Sequence, residues 1–502
     1  MTKVSGLRSR LGRLAPHFPV LVLAFGFGAV MSLALAPNHM LWTVPIALAV
    51  IGAFALRAQT SWSGAMLGWG FGLGYFAFGL SWIVEPFQVD AQRHAWMAPF
   101  ALVFLAGGLA LFWGAAFAGA VRWSRGAVRI ALLIAFWSLA EFARAYLLTG
   151  FPWAAFGQFW IDTPAAQLLP WISPQGLAVL TLAAFLPLAL LRQSPARAVL
   201  PGGALVALVA LLPSPPEVEL TDHRVRLVQP NAPQHQKWHP DLRWDFVRRA
   251  MGFNAQGPRP DMIIWPETAV PQLLNYAGDT LEAILEQAPG VPLLLGIQRE
   301  EGGAYFNSAA LISADGSAGQ IYDKAHLVPF GEYVPFGDLM ARFGFHGLAS
   351  QAGAGYAAGP GARLMDLPIG KALPLICYEA VFPQDVNAAP DRPDMLVQIT
   401  NDAWFGTRSG PYQHLVQARM RAAEQGLPML RAANTGISGV IDPYGRLGPS
   451  LPLGEAGYVD VILPAALPAT LYSRTGDWPV LILLLGLAGA ALRRGGNMQA
   501  RS

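Results

Sequence analysis

The stretch Leu373-Pro374-Leu375-Ile376-Cys377-Tyr378-Glu379 holds the only cysteine in a chain of 502 residues. A single thiol forms no intramolecular disulfide, so Cys377 serves packing or chemistry. Most lone cysteines are small buried hydrophobes. Here, however, an apolar run rich in strand formers stops at Cys377, and a carboxylate follows two residues on. Strand ends are where α/β proteins present reacting groups, so the stretch reads as a strand delivering a nucleophile.

Working outward, short β-rich runs at 224–229, 262–265, 292–297, 319–323, 373–376 and 395–400 alternate with helical patterns at 243–254, 280–287 and 414–425. This alternation predicts one α/β domain over 213–473. Three side chains then fall at strand ends: Glu267, Lys324 and Cys377. Lys324 is informative because the chain has four lysines (Lys3, Lys237, Lys324 and Lys371) among many arginines. A lysine kept in that setting suits a role as a compact point charge. A thiol near its free pKa of about 8.5 needs a base or a cation to become a nucleophile. Glu267 could take its proton, and Lys324 could stabilise an oxyanion, which together would perform acyl transfer. No histidine partner is evident; His326 sits among apolar residues and reads as structural.

The rest of the chain is built for another solvent. Charged residues make up 13% and apolar ones 54%, against about 25% charged in a typical globular protein. A membrane-crossing helix needs about 20 mostly apolar residues. Apolar runs lie near 18–36, 41–56, 62–84, 97–121, 130–148, 174–191, 197–212 and 478–492. The first leads straight into further spans, unlike a cleaved signal peptide. The predicted organisation is an N-terminal membrane domain of seven transmembrane helices (1–212), the α/β domain (213–473, entered through Pro213-Ser214-Pro215-Pro216), and a closing transmembrane helix with a tail (474–502). Basic clusters at Lys3/Arg8/Arg10/Arg13, Arg57, Arg122/Arg125/Arg129, Arg192/Arg197 and Arg493/Arg494/Arg501 fall on one side if there are eight spans. That places both termini in the cytoplasm and the α/β domain outside. The net charge of +3 gives no pointer to nucleic acid. Glu141 and Arg144 share a helical face and can pair within the membrane. The loop 149–153, with Phe156, Phe159 and Trp160, reads as an aromatic belt at the outer surface.

The ordered set Trp265-Pro266-Glu267, Tyr322-Asp323-Lys324 and Cys377-Tyr378-Glu379 resembles the Glu–Lys–Cys pattern of the nitrilase superfamily. More specifically, Lys324-Ala325-His326-Leu327-Val328-Pro329-Phe330-Gly331-Glu332-Tyr333-Val334-Pro335 is similar to the apolipoprotein N-acyltransferase family, bacterial membrane enzymes that finish lipoprotein maturation. Asn401-Asp402-Ala403-Trp404-Phe405-Gly406 and Tyr472-Ser473-Arg474-Thr475-Gly476-Asp477 fit the same family. The resemblance covers nearly the whole chain and is weakest over 85–96. It implies a polytopic α-helical membrane bundle plus an α/β nitrilase-like domain, an αββα sandwich. It further implies Glu267 as general base, Cys377 as nucleophile and Lys324 as oxyanion stabiliser. Glu332 would be a second carboxylate of the site, Tyr378 and Glu379 its supports, and Trp238 a substrate contact. For Glu332 and Glu379 a purely orienting role is equally open.

The implied reaction moves an acyl chain from the sn-1 position of a phospholipid, typically phosphatidylethanolamine, to the α-amine of a diacylglyceryl-cysteine apolipoprotein at the bacterial inner membrane. No metal or organic cofactor is implied, and the histidines lack ligand spacing. The runner-up readings are a membrane-tethered nitrilase-type amidase and a non-catalytic receptor with a nitrilase-like domain. Segment 335–358, rich in Phe and Leu among glycines, is open to two readings: a membrane-dipping flap, or core filling. The basic clusters generate a first prediction. A reporter fused after Ser502 is expected to be active only in the cytoplasm, and one inserted near Pro215 only outside; both on one side would contradict eight spans.

Overall fold

A computed structural model describes residues 18–335 and 355–499. Most of segment 335–358, and the basic residues Lys3, Arg8, Arg10, Arg13 and Arg501, lie outside the described residues. The chain forms two compact units. One takes the chain up to Val84, Ala95–Ser214, and everything from Asp477 on; the other takes Glu85–His94 and Pro215–Gly476. Glu85–His94, whose sequence matched nothing clearly, packs with the α/β unit. There the Glu85 carboxyl fills the space a side chain at Gly406 would need, 2.6 Å from where its Cβ would stand.

The helical unit places a helix on each of the eight apolar runs. Those long and apolar enough to cross a membrane are Ala91–Trp123, Gly126–Tyr146, Pro164–Leu190 and Trp478–Gly495. Ser61–Gly79 and Ser81–Gln88 meet the test only as a pair bent by 47°, and Phe18–Ser32, Thr43–Arg57 and Pro195–Leu211 are shorter. Without a hydrophobic force between helices in lipid, close packing depends on small residues. A Cβ on Gly28 would stand 1.9 Å from the Phe71 carbonyl oxygen, and one on Gly74 would stand 2.0 Å from that of Phe25. These two glycines let Phe18–Ser32 and Ser61–Gly79 touch backbone to backbone.

Glu141 and Arg144 pair at 2.6 Å and are both buried. Trp113 Nε1 donates to Glu141 at 2.7 Å, and Arg144 donates to the carbonyls of Phe151 and Trp153. Those two carbonyls draw the loop inward, which corrects the belt reading. Trp153, Phe156 and Phe159 are buried, and Phe156 packs edge-on against Tyr75, Trp113 and Trp137. Among the described residues the exposed tryptophans are Trp42, Trp62, Trp96, Trp123, Trp171 and Trp478. Asp477 ties down the closing helix, accepting from Tyr146 Oη and Ser173 Oγ at 2.6 Å each.

The second unit holds two six-stranded sheets, ordered β12-β1-β2-β3-β4-β5 and β11-β10-β9-β8-β7-β6. In the first are β1 (Leu220–Gln229), β2 (Met262–Ile264), β3 (Leu293–Glu301), β4 (Ala304–Ile312), β5 (Ala318–Asp323) and β12 (Gly457–Pro464). The second contains β6 (Met365–Leu367), β7 (Gly370–Ile376), β8 (Met395–Thr400), β9 (Met429–Ala433), β10 (Ser438–Ile441) and β11 (Leu447–Leu451). β1–β2–β3 and β7–β8–β9 run parallel. Such strands are covered on both faces, which explains their near-continuous apolar sequences. Helices Arg243–Asn254 and Gly278–Glu286 cover the first sheet through Val247, Ala250, Leu281 and Ile284. Helix Gly410–Gln425 covers the second through Leu415, Ala418 and Ala422. The sheets meet face to face between these layers, the αββα arrangement.

One buried charge organises the first sheet. Arg226 on β1 donates to both Asp460 oxygens at 2.8 Å, to the carbonyls of Phe253 and Asn254, and to that of Pro258. All five N–H groups are used, fixing the loop after helix Arg243–Asn254 to strands β1 and β12. Removing one partner of such a cluster strands the others in a low-dielectric interior. Arg226→Met is therefore expected to cost roughly 3–5 kcal/mol, read as a lowered thermal midpoint. A wild-type midpoint would show that the cluster is not coupled to folding.

Candidate functional site

The parallel strands point their C-terminal ends at one place, and the three residues predicted at strand ends arrive there. Lys324 directly follows β5, and its N–H donates to the Asn307 carbonyl at 2.8 Å. Its ammonium is 1% exposed. Nζ lies 2.8 Å from Glu332 Oε2, 2.9 Å from Glu332 Oε1 and 3.7 Å from Glu267 Oε1. Burial alone would push the Lys324 ammonium down, but the carboxylates of Glu332 and Glu267 overcome it and hold it above its usual range. It is a fixed cation.

Glu267 follows β2 by three residues and is gripped from two sides. Asn307 Nδ2 donates to its Oε1 at 2.7 Å, and the Asn401 backbone N–H donates to its Oε2 at 2.8 Å. Asn307 also reaches Glu332 Oε1 at 3.1 Å, so one amide orients both carboxylates. The loop after Lys324 folds back to supply Glu332, whose Oε2 accepts from the Val328 N–H at 2.9 Å.

Cys377 sits where β7 turns into a 3-10 segment, Cys377–Val381. Its φ is +53°, a left-handed conformation that costs a non-glycine residue about 1–3 kcal/mol and persists only where the surroundings enforce it. The enforcement is visible on both sides of the turn. Gln398 Nε2 donates to the Cys377 carbonyl at 3.2 Å, and His414 Nε2 lies 3.1 Å from the same oxygen. His414 Nδ1 is 2.9 Å from Asp402, which also pairs with Arg431 at 2.6 Å. Burial would raise the Asp402 carboxyl, but Arg431 and His414 bring it down to about 2. Thr400 donates to Asp402 at 3.0 Å and hydrogen-bonds the Cys377 thiol. Burial, reinforced by the Glu267 carboxylate, pushes that thiol up, with Lys324 opposing. The balance favours the protonated thiol.

Glu379 is a clamp. Its carboxylate accepts from the N–H groups of Ile376, Ala325 and His326 at 2.7, 2.8 and 3.2 Å, and from Tyr322 Oη at 2.8 Å. Tyr378 is buried beside it, edge-on to Phe382 and His326. His326 bonds Asp385 at 2.7 Å, the structural use expected of it. Trp238 is half-buried at the end of the short helix Gln234–Lys237, lining a pocket with Lys237, Pro266 and Thr268. It stands on the Glu267 side of the site.

Residues 224–471 match the carbon-nitrogen hydrolase family model, and residues 27–186 match the apolipoprotein N-acyltransferase N-terminal domain model. The chain is 40% identical to the apolipoprotein N-acyltransferase of Bradyrhizobium diazoefficiens, over 94% of each chain. The enzyme of that name from Rhodopseudomonas palustris is 39% identical, over 92% of this chain and 93% of the relative. This chain belongs to the apolipoprotein N-acyltransferase family. It is an acyltransferase of lipoprotein maturation, seated in the bacterial inner membrane.

Within this acyltransferase, sequence reasoning missed Asn307, Thr400, His414, Arg431 and Lys237 as parts of the site. Asn401 and Asp402 stood in a quoted motif without a role. Lys237 alone carried a signal, its rarity among the cations. The clamp generates a prediction. Burial, opposed by the Ile376 and Ala325 N–H groups, raises the Glu379 carboxyl from 4.5 to about 6. Because the folded value is raised, this group's share of stability is full below about 4.5 and is lost as pH climbs through about 6. Activity should run the other way, since protonation sets a fifth donor against the four already aimed at this carboxylate. Acyl transfer is expected to fall below about pH 6. Glu379→Gln should lose about 1–3 kcal/mol and that acid limb together; an unchanged limb in the variant would refute the assignment.

Proposed function

We propose that this enzyme moves an acyl chain from the sn-1 position of a phospholipid, phosphatidylethanolamine being the expected donor, to the α-amine of a diacylated apolipoprotein, through a thioester on Cys377. The carrying observation is the convergence of Glu267, Lys324 and the strained Cys377 turn on one buried site. A thiol held above its ordinary range needs a base in the site, and Glu267 is oriented for that by Asn307 and Asn401. Lys324, permanently charged, suits the oxyanion. Glu332 and Asn307 position Lys324 and Glu267, and Glu379 with Tyr378 supports the turn. Trp238 is assigned to the substrate side.

In the first step Glu267 takes the Cys377 proton and sulfur adds to the ester carbonyl. Lys324 steadies the oxyanion. Its collapse breaks the ester C–O bond, and the proton on Glu267 passes to the leaving oxygen, releasing lysophospholipid. In the second step the lipoprotein amine attacks the thioester and gives up its proton to Glu267. The C–S bond breaks and the thiol is restored. An amide is more stable than a thioester, so transfer runs downhill. No metal or organic cofactor enters this route. The catalytic domain is assigned to the periplasmic side with both termini in the cytoplasm, on the arginine distribution.

Intact-mass measurement tests the route. Phospholipid alone is expected to leave the enzyme heavier by one acyl group, and added diacylated lipopeptide to discharge it. Cys377→Ala should abolish both, there being no other thiol. Lys324→Ala should slow acylation by about 10²–10³. Triacylated product without any hydroxylamine-sensitive adduct would exclude the covalent route.

A further inference from the structure

Lys237 is a buried cation that the route above does not use. It ends the helix Gln234–Lys237 and is 6% exposed. Nζ donates to the Glu267 carbonyl at 3.0 Å and to Thr268 Oγ1 at 2.9 Å. Both partners are neutral oxygens, although a desolvated ammonium is normally matched by a carboxylate in direct contact. The cost shows in its titration: burial lowers it to about 8, against the pull of Glu267 and Cys377. A charge kept at that cost has to be read against what it faces.

It faces the peptide that carries Glu267. Thr268 has φ +46°, so the residue directly after Glu267 is in a left-handed conformation that a β-branched side chain resists. The other flank of this peptide lies on Gly296, where a Cβ would stand 2.5 Å from Glu267 Cα and 2.6 Å from the Pro266 carbonyl oxygen. Gly296 leaves room on one flank and Lys237 grips the Glu267 carbonyl and the Thr268 hydroxyl. The titratable groups acting on the ammonium are Glu267 and the Cys377 thiol, and Arg243 lines the same pocket. Two carboxylates, Glu267 and Glu332, surround the single ammonium of Lys324. Without Lys237 that cluster is net negative, and creating a thiolate there meets repulsion. With Lys237 the charges of Glu267, Glu332, Lys324 and Lys237 balance, Arg243 on the pocket wall being outside that set.

We propose that Lys237 is a positioning residue for the acylation step, holding the strained Glu267–Thr268 peptide and supplying the second positive charge that lets Cys377 ionise. This rests on Glu267 acting as base and Cys377 as nucleophile.

The test uses the full-length enzyme and iodoacetamide, with Cys377 as its only thiol. Lys237→Met keeps the volume and removes the charge. It is expected to alkylate about tenfold more slowly at neutral pH, with the labelling midpoint raised by about one pH unit. Its kcat for acyl transfer should fall with little change in KM for phospholipid. Thr268→Val keeps the ammonium and removes one acceptor, so acylation should slow about three- to tenfold with the midpoint unmoved. Folded Lys237→Met with the wild-type labelling profile overturns the proposal. If Lys237→Met does not fold, wild-type acylation in Thr268→Val overturns it instead. Failure of the underlying reading has a separate signature: acyl transfer surviving in Cys377→Ala, or unchanged in Glu267→Gln.

Discussion

The Glu379 carboxylate joins the two sheets at the point where chemistry is assigned. Ala325, His326 and Tyr322 belong to the end of β5 in one sheet, and Ile376 to the end of β7 in the other. One anion therefore fixes the separation between the strand that carries Lys324 and the strand that carries Cys377. Sheet-on-sheet packing is non-directional and would tolerate sliding by fractions of an ångström. Four hydrogen bonds to a single carboxylate do not. The relative placement of ammonium and thiol is thus set by polar bonds, while the apolar layers supply the bulk of the stability.

Behind each proposed reacting group stands a second tier of buried polar residues. Asn307 and Asn401 orient Glu267, and Gln398 with His414, Asp402 and Arg431 holds the carbonyl of Cys377. Every member is buried, so each depends on the others for its hydrogen bonds. The helical unit uses the same device at Glu141, Arg144 and Trp113, where the surroundings are apolar side chains. In both places a buried polar cluster locks a local geometry that non-specific packing would leave loose.

Much of this was legible in the sequence, for physical reasons that can be named. Parallel strands covered on both faces write themselves as apolar runs, and a charged or nucleophilic residue at the end of such a run is conspicuous; Glu267, Lys324 and Cys377 were found that way. Helix Arg243–Asn254 was read at its observed limits. β4, β6 and β9–β12 were not seen, since runs such as Ser438–Ile441 and Leu447–Leu451 contain glycine or proline and little periodicity. The supporting residues were invisible because asparagine, threonine or histidine in a loop looks the same buried or solvated. The aromatic loop was misread for a related reason: aromatics suit a membrane interface and a core equally, and only Arg144 calling on the Phe151 and Trp153 carbonyls decides between them.

The pairing of β1 with β12 has a further consequence. Leu220, near the start of the α/β unit, lies opposite Pro464, near its end. More than two hundred residues thus leave and return at adjacent positions on one sheet edge. The polypeptide before and after the unit meets it as it would meet a short turn, so closing this large loop carries little more entropy than closing a small one once the unit has folded. Neighbouring ends are the condition under which domain insertions are tolerated.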